Sequence, residues 1–300
     1  RGVMYCAKKD RRLAIFILLP LLLVLFVFVY GFIAWSLRIS FTDWNSILPD
    51  MTWVGFANYQ GLFASQRFQT DIRNTIYFTV FFITLCIVGG FFLSYLLYSK
   101  LKGESFLRTI YLFPLSLSFV VTGVLWRWIF SPEVGINSLF RMMGFKAEFG
   151  WFTSTYSIGG FNVALIALII AASWQYMGYT MAMFLAGLRG IPDQLIESAQ
   201  IDGASEFAII RHVILPIIKP ITFSAMIVLG HISLKIFDLA YAMTGKGPAF
   251  VTDFPGLFMF ETTFRGNHYA EGAAISIIML LLVAMVIVPY LFSTLRGDSE

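Results

Sequence analysis

The chain has 300 residues, of which 58% are hydrophobic and 13% charged, and its formal net charge is +4. A soluble domain usually carries about 25% charged residues, so this composition excludes an ordinary soluble domain and indicates an integral membrane protein. The small net charge gives no sign of a nucleic-acid partner, and two cysteines, Cys6 and Cys86, are too few for a disulfide framework.

Six stretches are long and apolar enough to cross a bilayer as helices of about 20 residues. Lipid offers the backbone no hydrogen-bond partner, so runs of this length must be helical. In chain order the stretches are residues 13–37, 74–98, 107–130, 161–187, 214–236 and 273–293. The sequence therefore predicts an all-α integral membrane protein with six transmembrane helices, in which residues 1–300 form a single transmembrane domain.

Basic residues collect beside the spans on one side of the predicted membrane. Since cytoplasmic connections carry the excess of Lys and Arg, this side is predicted to be the cytoplasm, with both chain ends inside. The residues concerned, 12 of the 21 Lys and Arg, are Arg1, Lys8, Lys9, Arg11, Arg12, Lys100, Lys102, Arg108, Arg189, Arg211, Lys219 and Arg296. The other connections, about 35–73, 131–160 and 237–272, are then predicted to face outward.

The polar connection 190–220 between the fourth and fifth spans predicts two short amphipathic helices joined by a tight turn. Asp193 favours the first turn of the first helix, and Asp202 with Gly203 allows a sharp reversal because glycine accepts backbone angles closed to other residues. Pro216 marks the passage into the fifth span. Such a hairpin suits a groove on a soluble partner, although an interfacial loop without a partner is the alternative.

The spacing within this hairpin resembles the coupling loop of ATP-binding-cassette (ABC) importer permeases, which docks on a cytoplasmic ATPase. The residues to which the resemblance assigns ATPase coupling are Glu197, Ala199, Asp202, Gly203, Ala204, Leu215 and Pro216. Ser198 and Val213 stand where the family favours Ala and Ile. The resemblance implies the type I ABC importer permease fold, in which Glu197 and Gly203 shape the part of the loop that enters the ATPase.

Further segments extend the resemblance over nearly the whole chain. They are residues 37–44, 53–59, 108–114, 184–190, 237–239 and 243–248. Together they resemble carbohydrate-uptake permeases, above all the short form of the maltose-transporter F subunit and the glucose/mannose type, with Lys246 in place of a glycine of the family's outer loop. The resemblance implies transport of glucose, mannose or a glucoside such as glucosylglycerol or trehalose.

The sequence predicts no catalytic site, metal or cofactor on this chain, because it lacks a Gly-x-x-x-x-Gly-Lys-Ser/Thr loop and any His, Cys and Asp cluster of metal-binding type. The resemblance implies that ATP and Mg are bound by two partner ATPase subunits. The other implied partners are a second homologous permease chain, an extracytoplasmic sugar-binding protein and membrane lipid, with no nucleic acid. It also implies the bacterial cytoplasmic (inner) membrane and transport by alternating access, which partners can drive only by preferring one state.

Polar residues within the fourth and fifth spans are candidates for the substrate path, because a polar group facing lipid is costly. They offer a sugar both hydrogen-bonding groups and aromatic faces. The candidates are Trp174, Gln175, Tyr179, His231, Ser233, Lys235 and Asp238. The resemblance to the maltose-type subunit places Trp174, Tyr179 and Ser233 at positions comparable to its substrate contacts.

Each candidate also has a packing interpretation. The two aromatic rings can simply pack against helices or lipid. Gln175 can form an interhelical hydrogen bond, His231 can bond to a backbone carbonyl, and Lys235 with Asp238 can form an ion pair on one helix face.

Three other classes remain open. An ion-coupled secondary transporter needs charges inside the membrane and has no use for the hairpin. A permease for a non-sugar solute shares the hairpin but lacks the sugar-type segments, and a membrane-embedded enzyme needs a catalytic cluster that the sequence does not contain. The sequence leaves open which sugar is carried, which permease chain contacts it, and the identity of the ATPase.

Overall fold

The computed structural model describes residues 15–99, 103–144 and 149–297, with the side chains of 290–297 outside that description. Its helices, in chain order, are α1 Ile15–Ile39, α2 Ala57–Ala64, α3 Gln66–Tyr98, α4 Glu104–Leu112, α5 Phe119–Ile129, α6 Ile136–Met142, α7 Leu165–Arg189, α8 Asp193–Ile201, α9 Glu206–Leu234, α10 Asp238–Met243, α11 Pro255–Phe260 and α12 Tyr269–Gly297. The two short strands β1 Ser157–Ile158 and β2 Phe161–Asn162 form an antiparallel pair.

Part of the predicted cytoplasmic charge lies outside this description. The residues concerned are Arg1, Lys8, Lys9, Arg11, Arg12, Lys100 and Lys102 and the side chain of Arg296. Cys6 also lies outside the described residues. The orientation of the chain therefore stays a prediction.

Five described helices, α1, α3, α7, α9 and α12, are long and apolar enough to cross a membrane, and α4 with α5 makes a sixth if this bent pair is one span. This confirms the predicted helical membrane fold, apart from the small β1–β2 pair. The helix α3 begins at Gln66, eight residues before the predicted span. The start of α7 comes later than predicted, because Phe161 and Asn162 belong to β2.

The third span differs from the continuous helix predicted for 107–130, because α4 and α5 are bent by 102°. A 3₁₀ turn, Phe113–Ser116, follows α4. The chain is then extended at Leu117, with ψ of 147°, and at Ser118, whose hydroxyl caps α5 by accepting a hydrogen bond from the Val121 amide at 3.3 Å. Proline at position 114 lacks an amide hydrogen, which favours this break.

The fifth span also differs from its prediction, since the second hairpin helix and the span form the single helix α9. A π-helical turn, Ile210–Ile214, widens the helix directly before Pro216, where the proline ring would otherwise meet an α-helical turn. The helix then ends at Leu234, and Lys235 has non-helical backbone angles.

The described chain groups into two compact units, one of which comprises the described residues up to Phe63 together with Met259–Ile278. Within it, the carbonyl of Trp44 accepts a hydrogen bond from the Ala270 amide at 2.8 Å, and the Trp44 and Tyr269 rings lie 5.0 Å apart. The helix α1 belongs to this unit and exposes apolar side chains along most of its length. Such a surface is expected of a helix that faces lipid or another protein chain within a membrane.

The other unit comprises Ala64–Phe258 and the described residues from Met279. Its core is formed where α3 and α7 pack closely: a Cβ at Gly90 would lie 2.1 Å from the Thr180 hydroxyl. That hydroxyl donates a hydrogen bond to the Cys86 carbonyl at 2.7 Å. Small residues allow such close helix approach in membrane proteins, and Cys86 is a buried free thiol within this contact.

A buried polar network fixes residues 244–254 to α3 within this unit. The Asn74 amide nitrogen donates to the carbonyls of Phe250 at 3.1 Å and Asp253 at 3.0 Å, while its oxygen accepts from the Asn162 amide at 2.8 Å. Asp253 also forms an ion pair with Arg67 at 2.6 Å. The network satisfies polar groups that would otherwise be buried without partners.

Candidate functional site

The hairpin is a helix–turn–helix whose turn depends on Gly203. Two hydrogen bonds close the end of α8: the Ala204 amide donates to the Ala199 carbonyl at 3.0 Å, and the Gly203 amide donates to the Gln200 carbonyl at 3.0 Å. This is the Schellman pattern, which places a left-handed residue after the helix. Gly203 has φ of +80°, a conformation that glycine adopts without strain.

The hairpin exposes three large apolar side chains beside its exposed charged residues, such as Glu197 and Asp202. The exposed fraction is 86% for Ile201, 70% for Phe207 and 47% for Leu195. By contrast, Ile196 and Ala199 turn inward and pack on a buried cluster that the hairpin shares with α7 and α9. The apolar positions of α8 therefore divide between a packed face and a free face, and the free face has the character of an interaction surface.

Five of the seven predicted coupling residues lie together in α8 and the turn. Glu197, Asp202 and Gly203 are exposed, while Ala199 and Ala204 are partly buried. The remaining two, Leu215 and Pro216, are exposed on α9 beyond the π-helical turn, and so do not belong to the turn itself.

Two polar contacts flank the hairpin, one between α7 and α4 at its root and one between the hairpin and α3, and neither was identified from the sequence. At its root, Arg189 at the end of α7 pairs with Glu104 of α4 at 2.6 Å, and Arg108 contacts the same carboxylate. At the start of α9, the Tyr95 hydroxyl of α3 donates to Glu206 at 2.7 Å. The partners are 85 and 111 residues apart in sequence, so no local pattern indicates either contact.

A cavity of about 390 Å³ lies between the hairpin and the end of α3. Its polar lining includes the side chains of Tyr95, Tyr98, Gln200 and Glu206, and its apolar lining includes Ile196. The hairpin therefore meets the end of α3 on two sides of this space, at the Tyr95–Glu206 bond and at the apolar cluster against which Ile196 and Tyr98 pack.

The substrate candidates on α7 have different environments. Gln175 is buried, with 2% exposure, and its amide nitrogen donates to the Leu117 carbonyl at 2.7 Å. This interhelical bond satisfies backbone exposed by the break between α4 and α5, as backbone at membrane depth requires. Trp174 is 37% exposed, and its ring meets the Trp126 ring at 5.8 Å, edge to face. Tyr179 is partly buried.

The candidates on α9 and α10 are equally dispersed. Ser233 is buried and donates to the Gly230 carbonyl of its own helix at 2.9 Å. Within the described part of the chain, the Nδ1 atom of His231 is buried without a hydrogen-bond partner. Lys235 follows the last residue of α9 with non-helical backbone angles, and Asp238 begins α10, so the interpretation that they pair on one helix face does not hold.

No hydrogen bond, ion pair or ring contact joins the α7 candidates to those of α9 and α10 among residues 15–99, 103–144 and 149–297. In the same ranges, no group of three His, Cys, Asp or Glu side chains is placed to hold a metal. The expectation that the chain binds no metal or cofactor stays a prediction.

Comparison with known proteins places the chain in a transport context. A model of the family described as "binding-protein-dependent transport system inner membrane component" matches residues 87–296. A probable ABC transporter permease protein of Pyrococcus horikoshii is 39% identical over 98% of this chain and 99% of its own length. A xylose/arabinose import permease protein of Haloferax volcanii is 37% identical, over 88% and 82% of the two chains.

Two further comparisons agree in extent. A trehalose/maltose transport system permease protein of Thermococcus litoralis is 29% identical over 94% of both chains. Among solved structures, a bacterial alginate ABC transporter in complex with an alginate-bound periplasmic protein has a chain that matches with a TM-score of 0.78 and 21% identity, over 95% of this chain and 96% of that one. This likeness is one of fold.

Proposed function

The chain belongs to the family of binding-protein-dependent transport system inner membrane components and is an ABC importer permease; we propose that it conducts a sugar. Within this family assignment it is a transporter membrane subunit rather than an enzyme. ATP hydrolysis, under this proposal, is the task of two partner ATPase subunits that bind ATP and Mg.

The exposed apolar face of the hairpin is the observation that carries the ATPase interaction. Ile201 comes before the turn in sequence and Phe207 after it, and each has most of its surface in solvent. Burying such residues at the centre of an interface contributes much of its binding free energy. We propose that this face, shaped by Gly203, inserts into a groove of the ATPase on the cytoplasmic side.

We propose the remaining partners from the family's description, which names a binding protein, and from the resemblance, which implies a second permease chain. A binding protein outside the membrane delivers the solute, and a second homologous permease chain completes the pathway. The alginate transporter structure supports the binding protein, since it includes a periplasmic protein carrying its ligand. The family is described as an inner membrane component, and its relatives come from archaea and bacteria; we propose that this chain lies in the bacterial cytoplasmic (inner) membrane.

The sugar class rests on the relatives whose names include a solute. The Haloferax volcanii relative is named for the import of xylose and arabinose. The Thermococcus litoralis relative is named for the transport of trehalose and maltose. On α7, Trp174 and Tyr179 retain partly accessible rings, which suit the apolar C–H face of a sugar, whereas Gln175 already serves the helix break. A permease for a non-sugar solute is the second candidate.

The test is reconstitution of the chain with the second permease, the ATPase and the binding protein encoded near it. We expect copurification of all four components and ATP-dependent uptake of at least one of ¹⁴C-labelled glucose, xylose, maltose and trehalose. Uptake of none of these sugars, with uptake of an amino acid or phosphate instead, would support the second candidate.

Charged substitutions test the hairpin surface directly. Ile201→Asp and Phe207→Asp should each remove most of the copurified ATPase while leaving the chain in the membrane, because neither position is packed. Met142→Asp is the matched control, since Met142 is 85% exposed on α6. Equal ATPase recovery in all three variants would reject the hairpin as the docking site.

A further inference from the structure

The hairpin carries one polar contact from its helices to the transmembrane helices, and we infer that this contact, between Tyr95 and Glu206, positions the hairpin so that its displacement moves α3. The inference rests on the proposed function and names a positioning pair within it. Apart from Tyr95–Glu206, every side-chain hydrogen bond of residues 193–209 in the described structure stays within the hairpin.

Both partners are held at helix ends. Glu206 is the first residue of α9, directly after Ser205, whose hydroxyl accepts a hydrogen bond from the Ala208 amide at 3.3 Å. A carboxylate in the first turn of a helix is favoured by the helix dipole. Tyr95 lies one turn before α3 ends at Tyr98. The hydrogen bond at 2.7 Å therefore links the end of α3 to the start of α9.

The surroundings give this bond its importance. The cavity of about 390 Å³ lies beside this bond, between the hairpin and the end of α3. Next to it, Ile196 of the hairpin and Tyr98 of α3 pack against the same apolar cluster. The helix α8 buries none of its residues, and the first turns of α9 bury Ile209. Because apolar packing is not directional and a hydrogen bond is, the bond between Tyr95 and Glu206 fixes how the hairpin is oriented against α3.

From Tyr95 the connection continues to the substrate helix. Along α3, the close approach of Gly90 to Thr180 and the hydrogen bond from Thr180 to the Cys86 carbonyl join α3 to α7 tightly. The helix α7 carries Trp174 and Tyr179. A displacement of the hairpin that reaches α3 through Tyr95 must therefore also move the helix proposed to line the sugar path.

The experiment measures sugar imported per ATP hydrolysed in proteoliposomes that contain the complete transporter. The probe is an equimolar ¹⁴C-labelled mixture of glucose, xylose, maltose and trehalose. Tyr95→Phe should lower this ratio about fivefold, equivalent to a hydrogen bond of about 1 kcal/mol, with ATPase copurification unchanged. Tyr98→Phe is the matched control, since Tyr98 lines the same cavity and has no hydrogen bond among the described residues.

Variants of the acceptor separate positioning from simple packing. Glu206→Gln keeps an oxygen that can accept the hydrogen bond and should retain most of the ratio, whereas Glu206→Leu should match Tyr95→Phe. The double variant Tyr95→Phe/Glu206→Leu should be no worse than either single change, because both remove one interaction.

Hydrogen exchange of residues 193–209, with the chain in lipid nanodiscs, should also be faster in Tyr95→Phe than in Tyr98→Phe. Equal ratios and equal exchange for the two tyrosine variants would overturn the inference. A wild-type complex that imports none of the four sugars would instead count against the proposed sugar, and the exchange measurement would still decide whether the contact holds the hairpin.

Discussion

The hairpin and the helices α7 and α9 hold the two sets of predicted site residues, and they use their side chains in opposite ways. In the hairpin, Ile201 and Phe207 are exposed and the backbone alone closes the turn at Gly203. In the membrane helices, Gln175 and Ser233 are buried and already hydrogen-bonded to carbonyls. An exposed apolar surface in water indicates a binding partner. A polar side chain within a span, by contrast, first has to satisfy hydrogen bonds inside the protein, and only the groups left over can bind a solute.

The largest effect should come from filling the hairpin turn. Gly203→Trp places a bulky side chain on the docking face and forces a non-glycine residue into the left-handed region, which costs about 1–2 kcal/mol. We expect ATPase affinity to fall about 30-fold or more, as for loss of a central interface residue, measured by pull-down from detergent-solubilised membranes.

The control for this change is Gly159→Trp. Gly159 also has a positive φ, +56°, and a Cβ added there would meet no atom within 4 Å. The Gly159→Trp variant therefore introduces the same kind of backbone strain at a turn outside the hairpin. If both variants lose the ATPase equally, backbone strain explains the result, and the exposed surface of the hairpin is not the ATPase docking face.

An intermediate effect is expected at Gln175, where the structural role is clearest. Gln175→Leu leaves the Leu117 carbonyl without its donor at the break between α4 and α5, and an unsatisfied buried group costs about 1–3 kcal/mol. The thermal unfolding midpoint of the purified chain should fall. An unchanged midpoint combined with a raised KM for sugar would instead assign Gln175 to the substrate.

The smallest effect should appear at the partly exposed rings of α7. Trp174→Ala removes the contact with Trp126 and an aromatic face, and aromatic contacts of this kind contribute about 0.5–1.5 kcal/mol beyond area burial. We expect sugar uptake to fall about three- to tenfold, with assembly retained, and Tyr179→Ala to act in the same direction. Normal uptake by both variants would remove α7 from the substrate path.

Much of the fold could be read from the sequence because long apolar runs admit few structures in lipid. The helices α3, α7, α9 and α12 follow from hydropathy alone, with end points displaced by several residues. The break after Pro114 could have been suspected from proline chemistry. Its 102° bend could not, because the angle depends on the support that Gln175 provides from another helix.

The candidate site divides along the same line. The turn at Gly203 was predictable, since five of the residues predicted to couple to the ATPase are near one another in sequence and the backbone there obeys local rules. The polar residues of the spans were recognisable as unusual but not as structural or functional, because that distinction depends on which carbonyl each one reaches. Asn74 carried a signal, an amide at the start of an apolar span, whereas Tyr95 carried none.

The sequence by itself determined that the chain crosses a membrane as helices and presents a polar hairpin with a glycine turn, because hydropathy and local backbone chemistry act over a few neighbouring residues. Only the tertiary structure decided which apolar side chains of the hairpin stay exposed, where the third span bends, and that Tyr95 meets Glu206. Those outcomes depend on contacts between residues far apart in the chain, which form only once the helices pack.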